Sequence, residues 1–367
     1  MNIKIFRTEF VQFVVILVVV SDVDGQGILT DGSPYFCVPP GICLGGIDPR
    51  IVTPENTEMA LDKDIQKLID EVFFDKILTD GTPTPGIVTC PPGLIPCYAQ
   101  GSMSSCGQRE GGKTEADGLA DEDAYPWLGY LMGPNEMYLG VGSLLSPYHV
   151  LTAAHKVLAF NATPAQLSVY FGVNNPANLN NPPKPNSPAD KIFIHPNHNN
   201  STLKNDIAVV RLLNPIGLLE PNKVNTICLP SESTTNTYFT DPPRSCLVSG
   251  WGQIQPNNTA VPTQLKQVNV NTTDIDTCEK GFSGKLDTSV YLDKVGEICA
   301  GGEAQKDACF QDGGAPLNCR DGNPDVFTVA GIVIWGKSCG QPGVYGVYTN
   351  VPVYRQWVVD TITQQIP

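Results

Sequence analysis

The chain is poor in basic residues: 23 Lys and Arg stand against 37 Asp and Glu, for a net charge of −14. That shortage argues against nucleic acid and anionic membrane surfaces as partners, since both want basic patches. Histidine is scarce too, with 4 in 367 residues. Two of them, His195 and His198 in IHPNH, are close enough to share a metal, but the Pro and Asn around them make a solvated surface pair the expected reading. No CxxC pair and no Cys/His cluster carries zinc spacing. Long apolar runs are missing beyond the first twenty residues. The run at the start, Phe10 to Val20 behind Lys4 and Arg7, is too short to span a bilayer and gives way to the polar SDVDGQG. It reads as a secretory signal over residues 1–25 of a soluble, exported protein.

What is present fits that compartment. Twelve cysteines fall at Cys37, Cys43, Cys90, Cys97, Cys106, Cys228, Cys246, Cys278, Cys299, Cys309, Cys319 and Cys339, and disulfides persist outside the cytosol. Glycosylation sequons stand at Asn161, Asn199, Asn200, Asn257 and Asn271, each expected on a surface loop.

The chain changes texture near residue 113. Residues 26–112 carry Pro/Gly clusters, CVPPGIC and TPTPGIVTCPPGLIPC, around one helical pattern: Leu61, Ile65, Leu68, Ile69, Val72, Phe73, Ile77 and Leu78, closed by TDG. Such an amphipathic helix packs on its own module or on a partner, the first being commoner. Residues 113–367 break into short apolar runs split by Gly, Pro and Asn, among them WLGYLM, KIFIH, IAVVRLL, SCLVSGWG and VFTVAGIVIWG, a pattern that predicts an all-β barrel or sandwich. The stretch NNPANLNNPPKPNS reads as an exposed loop, and the tail VPVYRQWVVDTITQQI has helical periodicity.

Three separated motifs carry chemistry. LTAAHK sets His155 after an apolar strand, NDIAVVRL sets Asp206 before another, and KDACFQDGGAPL brings an Asp-x-Gly-x-Pro segment later. A hydrolase that uses a nucleophile, a base and a group orienting the base has them in this chain order in the chymotrypsin arrangement. With PWLGYLM, GSLLSPYHVLTAAH, ICLP, VSGWG, ICAG and WGKSCG…GVYTNV in the same order, residues 114–367 resemble a trypsin/chymotrypsin-type serine protease domain. The resemblance implies a double six-stranded β-barrel with a C-terminal helix.

The departures are as informative. Gly313 stands where the family has its nucleophilic serine, Gln311 where it has an oxyanion-donating glycine, and Ile334 where a serine precedes Trp335. Glycine forms no acyl-enzyme, and loss of a triad member costs about a millionfold in turnover. His155 and Asp206 are then vestigial, and the chain is expected not to be an enzyme. The family's activating amine has no counterpart, since Thr114 follows Lys113 at that position. The cysteines that flank the catalytic His in the family align with Gly140 and Lys156, so one bridge is lost whole.

The resemblance also implies pairings Cys246–Cys319, Cys278–Cys299, Cys309–Cys339 and Cys106–Cys228, and a pocket with Asp307 at its base and Gly336 and Gly346 as walls. That pocket either holds a basic side chain or is inherited scaffold. The four remaining cysteines, with CVPPGIC, GGIDPR and CPPGLIPCY, resemble a clip domain, a small disulfide-rich module, although Tyr98 replaces its last cysteine and the third is missing. That pattern implies Cys37–Cys97 and Cys43–Cys90, one of three connectivities open to four cysteines. Arg50 before Ile51-Val52 is either the module's own arginine or a cleavage site, with Lys113 the competing site. Together the modules resemble a clip-domain serine protease homologue of the masquerade-like type. That implies a secreted haemolymph protein with no metal or organic cofactor, serving as a cofactor or adaptor between a cascade protease and a prophenoloxidase-like zymogen in melanisation. The alternatives are a decoy that holds Arg or Lys segments, and an adhesion or pattern-recognition protein that meets a microbial surface.

Overall fold

The computed structural model describes residues 106–109, 112–180, 183–218, 223–253, 264–286 and 290–364, with three short strands before them. The chain divides into two compact units, Met1–Met103 with Thr363–Pro367, and Ser104–Ile362. In the first unit, β1 (Gly27–Ile28), β2 (Pro34–Val38) and β3 (Ile95–Tyr98) form an antiparallel sheet in which Phe36 lies opposite Cys97 and Cys37 opposite Pro96. The signal segment, the helix expected around Leu61–Leu78, Arg50, the side chains of the clip-like cysteines and Asn257 lie outside the described residues.

The second unit is built from antiparallel strands, short as the Gly/Pro/Asn punctuation demands. Six of them close a barrel: β5 (Leu128–Met132), β6 (Tyr138–Ser146), β7 (His149–Thr152), β8 (Ser168–Tyr170), β9 (Asn186–Ile194) and β10 (Ala208–Leu212), in the order β10-β7-β6-β5-β8-β9. β9 takes the end of NNPANLNNPPKPNS, so that segment is not all loop; Ser187 is buried and its hydroxyl receives Asn214 N–H at 2.8 Å. The barrel interior is filled by Leu131, Leu144, Val150, Leu167 and Val169, none of them exposed. Small barrels are packed in this way rather than hollow.

A second barrel follows: β11 (Ser245–Gly250), β12 (Lys266–Thr273), β13 (Glu297–Gly301), β14 (Pro316–Arg320), β15 (Phe327–Trp335) and β16 (Tyr345–Asn350), closed by β11 on β12 and extended at one edge by β4 (Gly118–Leu119). Three helices complete the unit: α1 (Ala154–Val157), α2 (Ile275–Leu286) and α3 (Val351–Gln364). Among the described residues four disulfides pair Cys106–Cys228, Cys246–Cys319, Cys278–Cys299 and Cys309–Cys339.

The barrels meet through buried polar bonds set in apolar surroundings. Trp127 Nε1 donates to Asn318 Oδ1 at 2.9 Å, and Asn318 Nδ2 donates to Leu247 O at 2.9 Å. Tyr125 OH donates to Gln267 Oε1 at 2.9 Å. Every one of these donors is buried, so each bond broken leaves a partner that water cannot satisfy. Asn318→Ala removes an acceptor and a donor at once. We expect a loss of about 2–4 kcal/mol in a denaturant titration; a loss below about 0.5 kcal/mol would show that the seam does not depend on it.

Candidate functional site

The site forms where the barrels face each other. β7 delivers His155 to the start of α1, and the turn before β10 delivers Asp206, which is 1% exposed. The carboxylate takes His155 by two bonds: the backbone N–H donates to Oδ1 at 2.8 Å, and Nδ1 lies 2.5 Å from Oδ2. Asp206 is also tied to the second barrel, for Thr349 Oγ1 of β16 donates to its backbone oxygen at 2.7 Å. His155 Nε2 therefore points away from the carboxylate, as a general base would.

Opposite it stands Gly313. A Cβ added there would lie 3.1 Å from His155 Nε2 and 3.0 Å from Lys156 Nζ, and would overlap Lys156 Cε. A Cβ added to Gly140 would lie 2.5 Å from Gly313 O and 3.1 Å from Lys156 Cδ and Cε. Lys156 therefore threads between the two glycines and occupies space that a side chain at either position would fill. Burial lowers its amine pKa, against the attraction of Asp312 and Asp206. In the sequence Lys156 marks only a lost cysteine. The signal that it does more was the pairing of that loss with Gly140 and Gly313, two vacancies within reach of one long side chain.

Asp312 is buried, and its carboxylate accepts from Gly252 N at 2.8 Å and Cys309 N at 3.0 Å. Burial pushes it up to about 6, and the amides of Cys309 and Gly252, then Lys156 and Lys266, only partly offset this. The segment after Lys113 runs elsewhere. Thr114 N donates to Asp121 Oδ2 at 2.5 Å, and Gln267 Nε2 donates to Thr114 O at 3.0 Å and Ala116 O at 2.8 Å. Glu115 takes Arg109 and Arg320. Among the described residues no amine of that segment meets Asp312. Gln311 adopts φ +76°, in the left-handed region that favours glycine. Its carbonyl receives Tyr138 OH at 3.1 Å, and its side-chain oxygen is buried with no partner. Ile334 is buried and offers Asp206 no hydroxyl.

Asp307, Gly336 and Gly346 come together as one recess. A Cβ on Gly346 would lie 2.8 Å from Asp307 Oδ1 and 3.2 Å from Tyr348 OH, while a Cβ on Gly336 would meet only Gly346 Cα at 3.8 Å. Only glycines leave the recess open. Asp307 Oδ2 accepts from Gly340 N at 3.2 Å, but Oδ1 and the Tyr348 hydroxyl are buried and unpartnered. Burial pushes Asp307 up to about 7.

The histidine pair departs from expectation. The His198 side chain is only 4% exposed, its Nδ1 lies 3.8 Å from Asp206 Oδ1, and neither ring nitrogen is hydrogen-bonded. His195 packs edge-on against Tyr354 and Trp357 of α3, with ring centroids 5.2 and 5.0 Å away. The pair is not a solvated one: His195 is half-buried against the helical tail, and the His198 ring is almost fully covered near the triad carboxylate. Among the described residues no cluster of three or more His, Cys, Asp or Glu side chains is arranged for a metal, and no helix is long and apolar enough to cross a membrane. Asn161, Asn199 and Asn200 are exposed on turns, whereas Asn271 lies within β12, exposed, its Nδ2 donating to Glu303 Oε1 at 2.7 Å. Lys113 is half-buried.

Comparison with known proteins agrees with this geometry. The family described as Trypsin matches residues 119–358. The chain is 33% identical over 345 residues to the inactive CLIP domain-containing serine protease A3 of Aedes aegypti, covering 89% of this chain and 66% of that protein. It is 33% identical over 266 residues to the inactive CLIP domain-containing serine protease A8 of Anopheles gambiae, covering 70% and 68%. It is 34% identical over 261 residues to the mouse transmembrane protease serine 11C, covering 69% and 55%. The alignments thus span between about half and two thirds of these relatives' lengths.

A serine at 313 must push Lys156 aside. Gly313→Ser is expected to cost about 1 kcal/mol, at the low end for overpacking because a lysine tip is mobile. In a double-mutant cycle with Lys156→Ala, the serine should cost about 1 kcal/mol less than it does alone. Strict additivity would mean that Lys156 does not fill the nucleophile's place.

Proposed function

The chain belongs to the trypsin family, among its non-catalytic clip-domain homologues, and from that premise we propose that it is a secreted cofactor or adaptor for a working protease. The observation that carries this reading is the pairing of an intact base with an empty nucleophile position: His155 Nε2 faces Gly313, and Lys156 lies in between. Such a site cannot form an acyl-enzyme, while the two-barrel frame and its cleft remain for binding. Four described disulfides suit an oxidising, extracellular compartment. Two relatives are named inactive CLIP domain-containing serine proteases of mosquitoes, which supports a place in an arthropod protease cascade. The role in that reading is to assist activation of a prophenoloxidase-like zymogen, with melanisation as the outcome, after a cut at Arg50 or Lys113.

The test mixes the recombinant chain, before and after an Arg/Lys-directed protease, with zymogen and activating protease. Cut sites are mapped by N-terminal sequencing. Stimulation of zymogen activation by at least several-fold is expected only from the cut form. Equal stimulation by both forms would remove the cleavage switch, and none from either would remove the cofactor role.

The recess supports a second reading, a decoy that holds Arg or Lys segments. Asp307 Oδ1 and Tyr348 OH both lie buried without partners, as groups awaiting a cationic ligand do. Only the ionised Asp307 pairs with a cation. With its free-state value pushed up to about 7, benzamidine affinity should rise as pH climbs through neutrality, by about tenfold from pH 6 to pH 8. Asp307→Asn should flatten that profile. A wild-type profile already flat over this range would sink the pocket reading.

A further inference from the structure

Lys156 gives the site a group that a working protease of this design does not need. Its side chain passes Gly140 and ends beside Gly313 and His155 Nε2. Asp206 and Asp312 act on its amine through space, yet among the described residues Nζ makes no hydrogen bond or ion pair. Asp206 is already taken by His155, and Asp312 by the amides of Gly252 and Cys309. The ammonium is therefore an uncommitted donor at the point where a working protease of this design has its nucleophile.

In the chymotrypsin arrangement that point has a defined relation to the recess. In acyl transfer, the residue whose side chain fills the recess presents its carbonyl carbon to the nucleophile and base. Here the base faces Gly313 and an ammonium. An uncut chain brings a neutral amide carbonyl there, which gains little from a cation. A chain that ends at that residue brings a carboxylate, which pairs with the ammonium through charge-assisted bonds. Burial disfavours the charged amine, and a carboxylate beside it reverses that cost.

We propose that this cleft is a receptor for cut chain ends: the side chain of a C-terminal Arg or Lys enters the recess at Asp307, and its terminal carboxylate pairs with Lys156 beside His155. The inference rests on the reading of the Asp307 recess as a cation pocket and adds the carboxylate. It also states where the ligand comes from. Hydrolysis after Arg or Lys, the product of a working trypsin-like protease, supplies both groups at once. The chain then binds what such a protease has finished with, rather than what it has yet to cut.

The probes are two acetylated hexapeptides of one sequence ending in Arg, one a free acid and one a C-terminal amide, measured by calorimetry at pH 8 against the full chain. The free acid should bind about tenfold more tightly than the amide. Lys156→Met should bring the acid to the amide's affinity and leave the amide unchanged, while Asp307→Asn should weaken both. Equal affinities for acid and amide on the wild-type chain, with both lost in Asp307→Asn, would overturn the chain-end reading and leave the cation pocket standing. Failure of both peptides to bind, with Asp307→Asn indistinguishable from wild type, would overturn both. The acid–amide comparison uses unmutated protein, so it stands even if a variant misfolds.

Discussion

The buried carboxylate of Asp206 is the constraint around which the cleft is organised. It sits in the turn that launches β10, fixes His155 by two bonds, lies 3.8 Å from His198 Nδ1, and is joined through its backbone oxygen to Thr349 of the second barrel. A carboxylate with almost no solvent must have its hydrogen bonds met inside the protein. His155 meets two of them. The base and its orienting carboxylate are thus bound to each other, and Asp206 alone of the two also reaches β16 of the second barrel, through its backbone oxygen. Removing the base would strand a buried charge, whereas replacing a nucleophile by glycine strands nothing. This asymmetry accounts for which part of the machinery is gone.

Lys156 is the complement of that loss. Glycine at 140 and at 313 leaves adjoining gaps, and close-packed interiors do not keep gaps of that size without cost. One flexible side chain lies in both. On the far side of Gly313, Asp312 shows what else has changed. Among the described residues its hydrogen bonds come from backbone amides, and burial raises it to about 6. The segment after Lys113, which would have to supply a pairing amine, is bonded along the second barrel through Gln267 instead. Nucleophile, neighbouring bridge and activating pair differ from a working site together, and the recess at Asp307 stays open beside them.

Much of this was legible in the sequence because short apolar runs between Gly, Pro and Asn specify short antiparallel strands, and because motif order along the chain places His155, Asp206 and Gly313 at one cleft. Gly336 and Gly346 were expected as pocket walls only through the family resemblance. What was not legible depended on side-chain reach and cover. His198 looked solvated in IHPNH because nothing local says that α3, residues 351–364, packs over its neighbour His195. Lys156 looked like the remnant of a lost bridge because a sequence shows the missing cysteine and not the space it leaves. Asn186 and Ser187 looked like loop because their Pro-rich approach hides the start of β9.

The central claim is that this cleft binds without acylating. The most direct test is active-site titration with an aryl guanidinobenzoate ester, whose cationic head suits the recess and whose phenol is released once per acylated site. The account predicts no burst above the spontaneous release of the reagent, with benzamidine making no difference to the trace. A burst approaching one equivalent of phenol per chain, suppressed by benzamidine, would contradict it.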